Sequence, residues 1–213
     1  KGRRFFEKEF GYSPATAVNF DSFGHSRGLV QILRKAGYDS YLVCRPGKRD
    51  FPFTEQDFVW EGLDGSQILV HRSDENYNSV WGHAAEELRS FLEEKAQEEV
   101  TLFLWGVGDH GGGPSRKDLR DLAELTEEDG NHCILHSTPE AYFQELRDKE
   151  PVLPRISHGL NPVAPGCYTS QIQVKQRHRA LENEIYSTEK MAVAARLSGR
   201  KEYPQEELEA AMQ

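Results

Sequence analysis

The sequence predicts an α/β fold: an incomplete β/α barrel-like domain followed by the opening of an α-helical bundle. Three observations carry this expectation. Short apolar runs of strand length alternate with stripes of helical period along most of the chain. One pair of alternating segments breaks that rhythm around Asp64-Gly65, a hairpin turn signal. Beyond Pro151 a proline-rich loop leads into a long, purely helical pattern.

Residues Phe5 to Phe10 read as the end of a helix, stopped by Gly11 and by Pro14 shortly after. Ala17-Val18-Asn19-Phe20 reads as a strand, and Leu29, Val30 and Leu33 mark one face of the next helix, closed by Gly37. Tyr41-Leu42-Val43-Cys44 is a second strand, completing a βαβ unit. A run apolar on both faces suits a parallel strand covered on both sides. Phe58-Val59-Trp60 and Gln67-Ile68-Leu69-Val70 read as an antiparallel excursion on the same sheet. Leu88, Phe91 and Leu92 stripe a further helix, and Val100 to Trp105 reads as the next buried strand. Ser115 and Asp118 form a capping pattern for a helix striped by Leu119, Leu122 and Leu125. Cys133-Ile134-Leu135 is expected as a strand, and Ser137-Thr138-Pro139-Glu140 as a helix start with proline in its first turn. In the stretch from Gln171 to Leu197, Leu181, Ile185, Thr188, Ala192 and Ala195 recur at threes and fours and are expected to line one seam. Gly199 ends it and Tyr203-Pro204-Gln205-Glu206 starts another helix. The expected division is an α/β domain over 1–160 and the start of a helical domain over 161–213.

With 213 residues, 37% of them apolar and 29% charged, the chain has the composition of an ordinary folded protein. A net charge of -9 with scattered basic residues argues against a nucleic-acid surface. Arg177 to Arg179 reads as a solvated helix face. No apolar stretch approaches the length of a membrane span. Cys44, Cys133 and Cys167 form no CxxC pair, and an odd number suits a reducing, cytoplasmic setting. Cys44 and Cys133 read as small strand hydrophobes. The chain opens at Lys1 inside a helical pattern, so the natural N-terminus is expected upstream.

In α/β folds ligands bind at the carboxyl ends of the strands. Three predicted strand ends carry unusual residues: Asp21-Ser22-Phe23-Gly24-His25-Ser26, Arg45-Pro46, and the glycine-rich loop from Gly106 to Pro114 with Asp109 and His110 inside it. One Asp after a strand is most often a helix cap or turn residue. Here an Asp, a His and an Arg converge with a second Asp-His pair, and the functional reading is favoured. Paired carboxylates serve glycoside hydrolysis, and Asp and His suit zinc. The loop is no phosphate loop, because it lacks the Gly-Lys-Ser/Thr ending.

These segments resemble glycoside hydrolase family 38, the α-mannosidases. Asp21 to Ser26 with Gln31-Ile32-Leu33 and Gly37-Tyr38-Asp39 is similar to that family's nucleophile segment. Gly108 to Pro114 resembles the glycine-rich loop of its bacterial and cytosolic members. Ser137 to Glu140 and Gly166-Cys167-Tyr168-Thr169-Ser170 match two further stretches, and Tyr168 to Gln213 is similar to the start of its middle helical domain. The resemblance implies a seven-stranded β/α barrel-like domain and a retaining α-mannosidase that acts on mannose-containing oligosaccharides. It implies that Asp21 is both nucleophile and zinc ligand, with Arg45 steadying the carboxylate and contacting sugar. Asp109 is the expected acid/base and His110 the runner-up, also expected to contact substrate. His25 is expected to fix its loop by hydrogen bonding rather than to bind metal.

The sequence departs from the family pattern in two places. The His-x-His-x-Asp motif that supplies the first zinc ligands is absent and would lie upstream of Lys1. Where many members carry another zinc-ligating His, this chain has Val163, Ala164 and Pro165, with His158 as the nearby substitute. One secure ligand does not hold zinc tightly, so the chain alone is expected to be inactive. The competing expectations are an inactive carbohydrate-binding relative and, behind it, a metal-dependent sugar deacetylase-like hydrolase. Linkage preference, aglycone and oligomeric state leave no mark on the sequence.

Overall fold

The computed structural model describes residues 2–47, 49–51, 55–73, 77–108, 111–161, 163–200 and 202–212. The chain divides into two compact units, Lys1–Pro165 and Gly166–Gln213.

The first unit is built on a five-stranded sheet. Helix α1 (Gly2–Phe10) precedes β1 (Thr16–Asn19), which connects through α2 (Leu29–Lys35) to β2 (Ser40–Val43). The two strands pair in parallel, Thr16 with Ser40 through Asn19 with Val43, so the expected βαβ unit is present. β3 (Asp57–Glu61) and β4 (Gln67–Arg72) form the antiparallel pair around the Asp64-Gly65 turn. β4 joins the sheet parallel to β2. A short β5 (Arg155–Ile156) pairs parallel with β3, which gives the order β1-β2-β4-β3-β5. Helices α3 (Ala84–Glu94), α4 (Arg116–Glu128) and α5 (Pro139–Asp148) complete the unit.

All four residues of β2 are buried, as a central strand covered on both faces requires. On one face Tyr41, Val43, Phe58, Trp60, Ile68 and Val70 pack with Val30 and the half-buried Leu29 and Leu33 of α2. On the other, Leu42 packs with Tyr142, Phe143 and Leu146 of α5. Fully burying side chains of this size contributes about 1.5–3 kcal/mol each, so these two layers hold the sheet between helices. Local signals behave as read: Ser115 Oγ accepts from Asp118 N at 3.0 Å, and Thr138 caps α5 with Pro139 in its first turn.

Two expected strands are corrected. Val100 to Trp105 and Cys133 to Leu135 are extended segments without strand pairing. Val100, Leu102 and Leu104 pack against the α5 layer, whereas Phe103 and Trp105 pack with the α3–α4 cluster of Ala84, Ala85, Leu88, Leu122 and Leu125. The alternation is therefore that of a two-faced extended chain, but a strand also needs a hydrogen-bonding neighbour. Cys44 is buried just past β2, while Cys133 is exposed and is no strand hydrophobe.

The second unit contains α6 (Gly166–Thr169), the long α7 (Ile172–Leu197) and α8 (Gln205–Ala211), with α7 and α8 in contact. None of α7 is fully buried. Leu181 of the expected seam is exposed, and Ile185, Ala192 and Ala195 are half-buried. A closed bundle is not formed by these helices. Among the described residues, no helix is long and apolar enough to cross a membrane.

Candidate functional site

The parallel register that pairs Asn19 with Val43 carries two residues further to Asp21 and Arg45. Neighbouring parallel strands thus deliver both side chains to the same level of the carboxyl edge. There Arg45 Nε donates to Asp21 Oδ1 at 2.7 Å. Both side chains face solvent, at 40% and 52% exposure, so a ligand can reach them. The hydrogen bond to Asp21 holds the Arg45 guanidinium above its ordinary pKa. The Phe23 ring lies under that guanidinium, 5.9 Å from its carbon. The Arg45-Pro46 peptide is cis.

His25 lies beneath the pair and is buried. Its Nε2 is 2.7 Å from Ser22 Oγ and 3.0 Å from the Arg45 carbonyl, and its Nδ1 is 2.7 Å from the Tyr41 hydroxyl. Burial lowers its pKa to about 4, with the Arg45 carbonyl pulling weakly the other way. These bonds occupy both ring nitrogens within the protein, which agrees with a loop-fixing role.

A third group reaches this edge that sequence reasoning passed over. Tyr77, in the segment leaving β4, stacks on Phe20, the residue before Asp21, with 5.5 Å between ring centroids. The adjoining Ser79 ties down the root of the glycine-rich loop: Ser79 N donates to Gly106 O at 2.9 Å and Gly106 N to Ser79 Oγ at 3.0 Å. The loop closes through Val107 N to Gly113 O at 3.0 Å. At Gly112 (φ 137°) an added Cβ would stand 2.5 Å from the Val107 carbonyl oxygen, so the closure requires glycine there. Tyr77 to Ser79 therefore link the Asp21 edge to the glycine-rich loop. The one signal in the sequence was an aromatic residue just past a strand end. Asp109 and His110, the expected acid/base and its alternate, lie outside the described residues.

His158 follows β5, two residues before Leu160, whose backbone pairs with that of His25. It is exposed; its Nδ1 is 3.1 Å from the Gly159 carbonyl, its ring contacts Phe51, and its own carbonyl accepts from Trp60 Nε1 at 2.8 Å. Among the described residues, no three His, Cys, Asp or Glu side chains come together as a metal site. Asp21 is already engaged by a guanidinium, and His25 spends both nitrogens on protein partners. The described residues thus do not by themselves fit a zinc ion, which takes three or four such ligands.

A solvent-facing carboxylate and guanidinium stand at the carboxyl edge of a parallel βαβ unit in an α/β domain, which makes that edge the candidate site. Comparison supplies the family. Residues 1–164 match the glycosyl hydrolases family 38 N-terminal domain, and the chain belongs to that family. Alpha-mannosidase G of Dictyostelium discoideum is 32% identical over 193 residues, covering 88% of this chain and 18% of that protein. Alpha-mannosidase 2C1 of Homo sapiens is 30% identical over 201 residues, covering 92% of this chain and 19% of its own length. The chain therefore spans just under a fifth of the curated relatives it matches. Among solved structures, a family 38 protein from Enterococcus faecalis superposes with a TM-score of 0.61 at 15% identity, over 96% of this chain and 22% of that one. An alpha-mannosidase from Enterococcus faecalis V583 gives 0.56 at 19% identity, over 73% and 19%. These two likenesses speak for the fold.

Proposed function

We propose that this chain is part of a retaining α-mannosidase in which Asp21 is the nucleophile. The observation that carries the reading is the Asp21 carboxylate, open to solvent and oriented by Arg45 at 2.7 Å, in a chain of family 38. Asp21 attacks the anomeric carbon of a terminal mannose as the bond to the leaving oxygen breaks, and a carboxyl-linked glycosyl-enzyme forms. Asp109 is the proposed acid that protonates the departing oxygen, with His110 as the alternate. It then takes a proton from the water that attacks the same carbon and releases Asp21. Arg45 keeps the carboxylate aimed and donates its remaining N–H groups to sugar hydroxyls. Tyr77 and Phe23 offer aromatic surface beside it.

The sheet of the first unit is read here as part of a seven-stranded β/α barrel, with 1–160 as catalytic domain and 161–213 as the opening of a helical middle domain. Zinc belongs to the reading only as a metal to which this chain contributes Asp21, His158 being the weaker contributor. The chemistry above rests on the chain's own groups. On that footing the isolated chain does not turn over mannosides. A cytoplasmic setting and a mannose-containing oligosaccharide substrate complete the proposal.

A second reading, an inactive sugar-binding relative, is favoured by Val163, a buried apolar residue where the family resemblance expects a ligating His. Aryl α-mannoside hydrolysis by the full-length protein, with and without chelator, separates the two. Chelator-sensitive turnover supports the mannosidase; mannose binding without turnover supports the inactive relative.

A further inference from the structure

The Asp21 and Arg45 side chains are each about half exposed, so packing does not hold them in place. What fixes their geometry is the chain beneath, and the His25 ring meets it at the Arg45 carbonyl and at the Ser22 hydroxyl. Ser22, the residue after Asp21, meets His25 Nε2 through Oγ, and the same nitrogen lies 3.0 Å from the carbonyl of Arg45 itself. Tyr41, on β2 and leading to Arg45, meets Nδ1 through its hydroxyl.

The chemistry of these partners fixes the state of the ring. A backbone carbonyl can only accept, so the contact with Arg45 O assigns the hydrogen to Nε2, with Ser22 Oγ at 2.7 Å as a second acceptor of the same hydrogen. The site is buried, which disfavours a second proton, so Nδ1 keeps its lone pair and the Tyr41 hydroxyl donates to it. The ring plane is set by edge contacts with Tyr41 and Trp60, at 79° and 86° to the imidazole. The backbone of His25 is clamped as well: His25 N donates to Leu160 O at 3.0 Å and Leu160 N to His25 O at 2.8 Å.

We propose that His25 is a positioning residue for the Asp21–Arg45 pair: a neutral Nε2–H imidazole, oriented by Tyr41, that locks the Arg45 backbone to the Asp21 loop. The proposal rests on the reading of Asp21 as the reacting carboxylate only for its catalytic meaning. The coupling itself is a property of this chain. Loss of the imidazole releases the Arg45 carbonyl and Ser22 together, and the Arg45 Nε–H bond to Asp21 loosens although neither residue has changed. A His that served only to fill the core would leave that bond as it is.

The test is made on the purified chain by NMR. Long-range proton–nitrogen spectra are expected to show His25 at neutral pH with a protonated Nε2 and a bare Nδ1. The Arg45 Nε–H signal is expected to be resolved and slow to exchange with water. In His25→Leu that exchange should quicken by roughly fivefold to tenfold, the factor expected for losing one net hydrogen bond, while the β1–β2 amide signals stay in place. His25→Gln, whose amide can donate to the Arg45 carbonyl, should restore part of the protection. If His25→Leu fails to fold, Tyr41→Phe answers instead: removing the donor should shift the Nδ1 resonance and quicken Arg45 exchange. A folded His25→Leu or Tyr41→Phe chain with unchanged Arg45 exchange overturns the proposal, as does an Nδ1–H or charged imidazole in the parent chain. Turnover is not part of this readout. An active Asp21→Asn full-length enzyme would therefore sink the nucleophile and leave the His25 coupling to be judged separately.

Discussion

Arg45 Nε donates to Asp21 Oδ1 at 2.7 Å because two parallel strands in fixed register release both residues at the same level of the sheet. With both side chains substantially exposed, the pair adds little to stability; exposed ion pairs contribute about 0–1 kcal/mol. Its value lies in orientation. Arg45→Met is therefore expected to leave the unfolding free energy within about 1 kcal/mol of the parent. On the proposed reading of Asp21 as nucleophile, it should lower kcat/KM of the full-length protein roughly a hundredfold, the usual cost of removing one charged donor at a reacting centre. Denaturant titration and steady-state kinetics on the same variant check the two halves.

His25 makes the fold acid-sensitive. Its pKa falls from 6.5 to about 4 on burial, so between those values the unfolded chain takes up a proton that the folded chain refuses. Stability is thus fully present above pH 6.5, declines as pH falls towards 4, and loses nothing further to this group below that. The shift corresponds to about 3 kcal/mol. Unfolding free energies measured from pH 7 to pH 4 should fall less steeply in His25→Gln, which has no proton to take up.

Asp118 is completely buried, yet it is a main organiser of the α3–α4 layer. Its carboxylate accepts from Gly82 N and Ala84 N, both at 3.1 Å, and from Ser115 Oγ at 2.5 Å. Burial pushes its pKa up, but the Ser115, Ala84 and Gly82 bonds outweigh this and hold it below the ordinary carboxylate value. Asp118→Ala strands two backbone N–H groups and should cost about 3 kcal/mol, read as a lower urea midpoint. Asp118→Asn should cost less, because one amide oxygen remains to accept.

Tyr142 of α5 reaches across to the sheet, where its hydroxyl donates to the Asp57 carboxylate at 2.9 Å beside His71 Nδ1. Burial first, and then the Asp57 charge, raise the pKa of this phenol far above its ordinary value. Tyr142→Phe should destabilise the chain by about 1–2 kcal/mol. In the parent, this group contributes a stability loss only as pH climbs past 10, where the unfolded phenol ionises and the folded one does not. Alkaline unfolding curves of parent and variant should therefore converge.

Local chemistry was readable in the sequence where it depends on neighbours in the chain. The βαβ unit, the Asp64-Gly65 hairpin, and the Ser115 and Thr138 caps all have partners within a few residues or an unambiguous period. Long-range pairing was not. Arg155-Ile156 becomes a strand only because Val59 and Trp60 lie beside it, and nothing in a proline-rich loop announces that. Val100 to Trp105 has the residues of a strand and lacks the neighbour. The site followed the same rule. Asp21 and Arg45 could be singled out as strand-end residues, while Tyr77 gains its place from a stacking partner in another segment. His158 was legible only as a histidine near a family position, and its contact with Phe51 joins segments more than a hundred residues apart.

The most direct test of the account is to find which side chain becomes glycosylated. Full-length protein is incubated with a fluorinated mannosyl fluoride that slows release of the covalent intermediate, digested, and mapped by mass spectrometry. The account predicts a mannosyl adduct on Asp21, absent from Asp21→Asn, which should also lose hydrolysis. An adduct on a different carboxylate, or undiminished turnover by Asp21→Asn, would contradict it.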